Sequence, residues 1–322
     1  VLMPTPHVGH LVDYNLRRFL PGQTPELDVL VTRILEGVEA YPIPTPEDLA
    51  HTDKEEQEFF SHFEPYAPVI PRCSAKPRIS VIMSVHNGAD HLQETLDSIL
   101  QQTMEDFELI VVDDASTDAT PDILGSIQDK RLVVIKNESN KERAFSRNLA
   151  VSHARSDIIA ITDDDDFYLP QRFERELACM DADPNLGLCA SFITCYETND
   201  IFRRPCESEA IRICMLKNSP AAHSSWMVRK NLFERVNGYR NFYVPAEDYD
   251  LLARLSILPD VRFQILPEIL VRYRMYPDKN RQKMFEIQQK NANFVRLFLL
   301  QNLYPGMRKE YLPIHMRFVR EN

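Results

Sequence analysis

Four consecutive carboxylates, Asp163 to Asp166, follow directly on a short apolar run, Ile158 to Ile161, that stops at Thr162. Neighbouring acids repel one another unless a cation or solvent screens them. Mg²⁺ and Mn²⁺ prefer carboxylate, water and phosphate oxygens, so one reading of the run is a divalent-cation site carrying a phosphorylated substrate. The other is a solvated acidic turn. Two more acidic groups mark abrupt changes of character: Asp113-Asp114 after the apolar Phe107 to Val112, and Glu247-Asp248 at the head of an amphipathic segment, Glu247 to Leu258. Each also has a plain structural use, the first in ordering a turn and the second in meeting exposed N–H groups at a helix start. Arg143 and Arg147 are spaced to share one helix face, where a guanidinium suits polar or phosphate recognition and equally suits an ion pair with an acid.

The elements that must hold these residues alternate. Ile79 to Val85, Phe107 to Val112, Leu132 to Ile135 and Ile158 to Ile161 have the length and β-branched density of strands. Between them run helical stretches: one with an apolar stripe at Leu92, Leu96, Ile99 and Leu100, one reaching Ile127, and one from Glu142 to Ala154. This alternation predicts an α/β fold with a mostly parallel sheet and helices on its faces. In such a sheet Ser84 to Asn87, Asp113 to Asp118 and Asp163 to Asp166 all follow strands and meet at one rim. Further on, Phe173, Leu177 and Met180 predict a helix, Leu188 to Tyr196 a strand, Ser225 to Val228 a short strand, Asn237-Gly238 a turn, and Val261 to Leu266 and Ile269 to Tyr273 two late strands. The weakly patterned residues 197–222 could border an acceptor site.

Residues 1–76 form an accessory region and proline-rich linker, read as a packed brace, ahead of a main domain over residues 77–276. Residues 277–322 are a C-terminal helical extension, with Met284, Ile287, Phe294, Phe298 and Leu299 as a packing stripe.

With 322 residues, 44% apolar and 26% charged, the chain reads as globular, and a net charge of -11 argues against a nucleic-acid partner. The charge is uneven, with 9 basic against 4 acidic residues in 277–322, which permits a peripheral contact with the inner face of a membrane. The six cysteines include no CxxC pair and read as reduced. No apolar run reaches membrane-spanning length, so the expectation is a cytoplasmic protein, one processed or cut from a longer polypeptide because the first residue is not Met. GxxxxGK[ST], GxGxxG and HExxH are all absent, which disfavours P-loop, dinucleotide and zinc-hydrolase chemistry.

In order along the chain, PRISVIMSVHNGADHLQETLDSILQQT, FELIVVDDASTDAT, IIAITDDDDFYLP and AEDYDLLARL resemble the family 2 glycosyltransferases of the GT-A fold, over roughly Pro77 to Arg274. The resemblance implies an inverting transferase that moves a sugar from a nucleotide diphosphate donor to an acceptor hydroxyl on a carbohydrate, a lipid-linked glycan or another molecule. Bacterial surface-polysaccharide synthesis is the family-based expectation. It implies that Ser84 and Asn87 form the first nucleotide loop, with Asp113 beside the ribose and Asp114 at the uracil ring. A carboxylate accepts the uracil N–H, which favours a UDP-sugar. Arg147 is placed near the base or diphosphate. The DxD register falls on Asp163, Asp164 and Asp165: Asp165 as ligand of Mn²⁺ or Mg²⁺, Asp163 toward metal-bound water or ribose, and Asp164 toward the nucleotide, with Asp166 organising the next turn. Asp248 matches the general base, Glu247 an acceptor-binding or supporting residue, and His223 the acceptor side. Trp226 either stacks on a sugar or fills the core. Arg272 or Arg274 either meets the diphosphate or forms structural pairs. Where many relatives carry His, this chain has Tyr276, which implies fewer protein ligands to the metal. The alternatives are a GT-A-like nucleotidyltransferase and a non-catalytic carbohydrate-binding scaffold. The resemblance selects no donor sugar, acceptor or oligomeric state.

Overall fold

A computed structural model describes residues 76–275 and 281–303. The expected brace over residues 1–75, Tyr276, and residues 304–322 lie outside the described residues.

The predicted alternation is present. Strands β1 (Ile79–Val85), β2 (Phe107–Asp113), β3 (Leu132–Lys136) and β4 (Ile158–Thr162) are joined by helices α1 (Leu92–Leu100), α2 (Thr120–Ser126) and α3 (Glu142–His153). They pair in parallel in the order β3-β2-β1-β4. Side-chain alternation along each strand explains why both faces are covered. Val81, Met83, Leu109, Val111 and Ala160 pack with Leu92, Leu96 and Ile99 of α1 on one face. Ile82, Ile110, Val112, Ile159 and Ile161 pack with Ala144, Leu149 and Ala150 of α3 on the other.

Past β4 the sheet becomes mixed. After β5 (Phe167–Tyr168), α4 (Arg172–Ala182), β6 (Leu186–Cys195) and β7 (Ile201–Phe202) come α5 (Ser208–Met215), β8 (Met227–Arg229), α6 (Asn231–Arg235), α7 (Glu247–Ser256), β9 (Arg262–Tyr273) and α8 (Arg281–Leu303). The order continues β4-β8-β6-β9-β5, with β6–β9 parallel and β4–β8, β8–β6 and β9–β5 antiparallel. The two late strands expected from sequence are one strand, β9. Its register against β6 jumps from Ser191↔Leu266 to Phe192↔Ile269, so Pro267 and Glu268 bulge out and the proline forfeits no ladder bond.

Residues 197–222, unpatterned in sequence, hold β7 and α5, and α5 buries Ile211 and Met215. The C-terminal helix is part of the main core: Ala292, Val295, Leu297, Leu299 and Leu300 are buried in the cluster that also holds Trp226, Tyr249 and Leu252. From the expected stripe, Phe294 and Phe298 pack against that cluster, whereas Ile287 is exposed. Among the described residues no helix is long and apolar enough to cross a membrane.

Candidate active site

Parallel pairing aligns the carboxyl ends of β1, β2 and β4, with Val85 opposite Asp113 and Met83 opposite Thr162. The three loops that follow touch. Asn87 Oδ1 accepts the Thr117 N–H at 2.8 Å, and the Asn87 N–H donates to Ser116 Oγ at 2.9 Å. Asn87 itself takes a left-handed φ of 56°, which asparagine tolerates better than most residues. Gly88 lies so close to the acid loop that a Cβ there would stand 2.2 Å from Asp164 Oδ2. Asp113 caps its own turn by accepting the Ser116 N–H at 2.9 Å. Asp114 is buried, and its Oδ1 accepts from Asn137 Nδ2 at 2.7 Å and from the Lys141 N–H at 2.9 Å. Ser84 sits half-buried one residue inside the end of β1.

The four acids divide. Asp166 turns inward, taking the Ser224 hydroxyl on Oδ2 at 2.5 Å and the Arg274 N–H on Oδ1 at 2.9 Å. Burial, then the charges of Asp163 and Asp165, hold its pKa well above the ordinary range. Asp163, Asp164 and Asp165 stay half-buried at the rim. Burial and repulsion from Asp165 and Asp163 push Asp164 up to about 7. Burial pushes Asp163 in the same direction, but Arg147 outweighs it and keeps the carboxyl below the usual range. Among the described residues no three His, Cys, Asp or Glu side chains converge into a preformed metal cage.

Arg147, the α3 guanidinium expected near the base or diphosphate, is held by two carboxylates. Nη2 bonds Asp163 Oδ1 at 2.7 Å and Nη1 bonds Glu247 Oε1 at 2.6 Å, with Arg143 Nε 3.8 Å from the same Glu247 oxygen. Arg147 and Glu247 are nearly fully buried, which makes this pair expensive to open. Three more buried polar atoms in the same group, Arg147 Nε, Glu247 Oε2 and His223 Nδ1, have no hydrogen-bond partner among the described residues.

The first turn of α7 carries three acids with three fates. Glu247 belongs to Arg147, and Asp250 is held by Arg240 and Arg254. Asp248 is only half-buried and lies in no ion pair among the described residues. Burial and the adjacent Glu247 charge push its pKa up to about 7, where a proton acceptor works well near neutrality. His223 opens a 3-10 turn, His223–Ser225, and its Nε2 shares a hydrogen bond with Tyr239 Oη at 2.8 Å. Its Nδ1 is 3.9 Å from Asp163 Oδ1, yet burial and the Arg147 charge keep the ring neutral.

Trp226 is fully buried, edge-on to His223 at 4.9 Å between centroids, so it fills the core and stacks on no sugar. Arg274 donates to the Asp165 carbonyl at 2.9 Å and to Glu94 at 2.7 Å, and Arg272 and Arg274 both lie over the Tyr196 ring. Both arginines thus make structural contacts around Tyr196. Sequence reasoning missed Asn137, Tyr168, Ser224 and Tyr239. Asn137 had a usable signal, since it follows β3 on the same rim; the other three are ordinary core residues by type.

The fold and the rim define a GT-A glycosyltransferase. The chain belongs to glycosyl transferase family 2: the family model matches residues 80–236. An uncharacterized glycosyltransferase of Methanocaldococcus jannaschii is 33% identical over 62% of this chain and 71% of its own length. The O-antigen biosynthesis glycosyltransferase WbnJ of Escherichia coli is 32% identical over 64% of this chain and 82% of its own. Among solved structures, S. aureus TarS in complex with UDP-GlcNAc superposes with a TM-score of 0.56 at 17% identity, covering 73% of this chain and 74% of that one. The mannosyltransferase PcManGT of Pyrobaculum calidifontis, in complex with GDP-Man and Mn²⁺, superposes at 0.54 and 17% identity, covering 92% and 85%. The protein is thus a glycosyltransferase.

Proposed function

We propose that this enzyme transfers a sugar from a UDP-sugar to a hydroxyl of a growing glycan, with inversion at the anomeric carbon, and that it needs a divalent cation. The observation that carries the reading is the Arg147 bridge, which sets Asp163 of the acid loop and Glu247, the neighbour of Asp248, on two nitrogens of one guanidinium. A diphosphate side and a base side thereby share one small volume.

On the donor side, Asp114 is the base-reading residue. Asn137 and Lys141 fix its carboxylate, and an acceptor-only group suits the N–H of uracil. UDP-GlcNAc on TarS supports a uridine donor on this fold, while GDP-Man on PcManGT shows that the fold alone does not choose the base. Asp165, with Asp163, would hold Mn²⁺ or Mg²⁺. The donor set is hard oxygen; burial and then repulsion from Asp165 and Asp163 lift Asp164 to about 7, and a cation would relieve the repulsion. Donor phosphates would complete the ligand set, since no protein cage forms among the described residues. When bound, the cation neutralises charge on the departing diphosphate.

On the acceptor side, Asp248 takes the proton of the attacking hydroxyl. Glu247, locked to Arg147, raises the proton affinity of Asp248 and anchors the helix start. His223 stays neutral beside Asp163. The name of WbnJ, an O-antigen biosynthesis glycosyltransferase, supports a saccharide acceptor.

The test is a transfer assay over UDP- and GDP-sugars with and without Mn²⁺, followed by the anomeric configuration of the product. Metal-dependent UDP release and an inverted product are expected; metal-independent transfer, or retention, would overturn the reading.

A further inference from the structure

At Asp163 the chain leaves β4, so its backbone N–H and C=O pass out of the strand ladder while still partly shielded from water. A single side chain meets both. Tyr168 Oη accepts the Asp163 N–H at 2.7 Å and donates to the Asp163 carbonyl at 3.1 Å, using the donor and acceptor capacity of one hydroxyl. Tyr168 is fully buried on β5, and burial together with the charges of Asp166 and Asp163 keeps its phenol protonated. Beneath it lies Arg172, also fully buried, with its guanidinium 4.8 Å from the Tyr168 ring centroid. Arg172 donates to the carbonyls of Ile161 at 2.9 Å and Trp226 at 3.3 Å, and it pairs with Glu176. The residues just before the acid loop and just after His223 are thus tied to the same buried support that carries the phenol.

We propose that Tyr168 is a positioning residue for the acid loop. Its hydroxyl fixes the peptide from which the carboxylates of Asp163, Asp164 and Asp165 extend, holding them together against their own repulsion before the donor and its cation arrive. Tyr168 touches no reacting atom and acts through Asp163. The inference rests on the proposed cation site at that loop.

The experiment measures Mn²⁺ binding in the presence of UDP, by calorimetry and by Mn²⁺ electron paramagnetic resonance, on the full chain as wild type, Tyr168→Phe and Asp165→Asn. Tyr168→Phe keeps the ring and deletes only the hydroxyl. The expected result is saturable binding to wild type, its loss in Asp165→Asn, and affinity at least about tenfold weaker in Tyr168→Phe, the size usual when an outer partner of a ligand is removed. Wild-type affinity in Tyr168→Phe alongside loss in Asp165→Asn overturns the positioning role and leaves the cation site standing. A lower melting temperature with unchanged affinity overturns it as well, because a merely structural tyrosine would give that result. Unchanged binding in Asp165→Asn, or none in wild type, removes the cation site and this inference with it. If Tyr168→Phe does not fold, hydrogen exchange at the Asp163 amide of the metal-free wild type decides: slow exchange supports the clamp, and exchange as fast as an exposed loop amide overturns it.

Discussion

The two halves of the sheet build their share of the rim by different means. In the parallel half, β3-β2-β1-β4, polar groups follow directly on strands and are held by bonds within or between neighbouring loops, such as Asp113 to Ser116 and Asn87 to Thr117. In the mixed half, charged groups are held by buried ion pairs, one across a long stretch of chain, Glu247 to Arg147, and two local, Asp250 to Arg240 and Arg254. A hydrogen-bonded loop can reshape around a nucleotide at modest cost. A buried ion pair resists opening, because removing one partner strands the other charge. The nucleotide loops after β1 and β2 are therefore built to adapt, and the base side, together with the Asp163 end of the acid loop that shares its arginine, to stay where it is.

Substitutions can break that contrast, and the greatest effect belongs to the base side. Asp248→Asn should lower transfer by about 10²–10⁴-fold while UDP binding, read by calorimetry, holds. Equal transfer would remove Asp248 as base. Arg147→Met should cost about 3–5 kcal/mol in urea unfolding, because it leaves Asp163 and Glu247 without their shared cation. A loss below ~1 kcal/mol, typical of surface pairs, would show that the bridge is not the buried joint described.

On the donor side, Asp114→Ala should weaken UDP binding by about 1.5–3 kcal/mol, the worth of a hydrogen bond to a charged group, and should also cost about 1–3 kcal/mol of stability, because Asn137 and the Lys141 N–H lose their acceptor. Similar affinities for UDP and GDP in wild type would remove Asp114 as the base reader. The smallest effect sharpens the contrast from outside: Arg235→Ala opens an exposed pair with Asp260 and should leave the melting temperature unchanged.

Acidity gives a further separation. Asp164 and Asp248 have folded pKa values pushed up to about 7, above the ordinary carboxylate range. Between pH 6.5 and 8 the folded chain therefore holds protons that the unfolded chain has lost, so stability falls as pH rises. Burial keeps His223 and His153 neutral when folded, which opposes this slope at the low end of the window, around the ordinary histidine pKa, and fades toward pH 8. Metal-free protein should melt higher at pH 6.5 than at pH 8, and Mn²⁺ with UDP should flatten that slope. Transfer should rise with pH through about 7 as Asp248 loses its proton. A pH-independent rate across that range would count against Asp248.

How much was legible differs by half. Strands β1, β2 and β4 were readable because a strand buried on both faces is mostly apolar, and the turn from apolar to acidic at Asp113 and Asp163 shows where β2 and β4 end. Asp248 was found by motif, and the structure then supplies a reason to prefer it over Glu247 and Asp250, which are committed to arginines. For Arg147, helix spacing identifies its face but not the partner 100 residues away. Tyr168 and Tyr239 were invisible, since a buried tyrosine looks like any core aromatic until its hydroxyl is located.

By itself, the sequence determined the α/β class, the rim at the ends of the parallel strands, and the acids that line it, because these follow from local periodicity and abrupt changes of polarity. Only the tertiary structure decided which acids are paired and which are poised. That depends on which arginine arrives from elsewhere in the chain, and on how much water burial removes around each carboxyl.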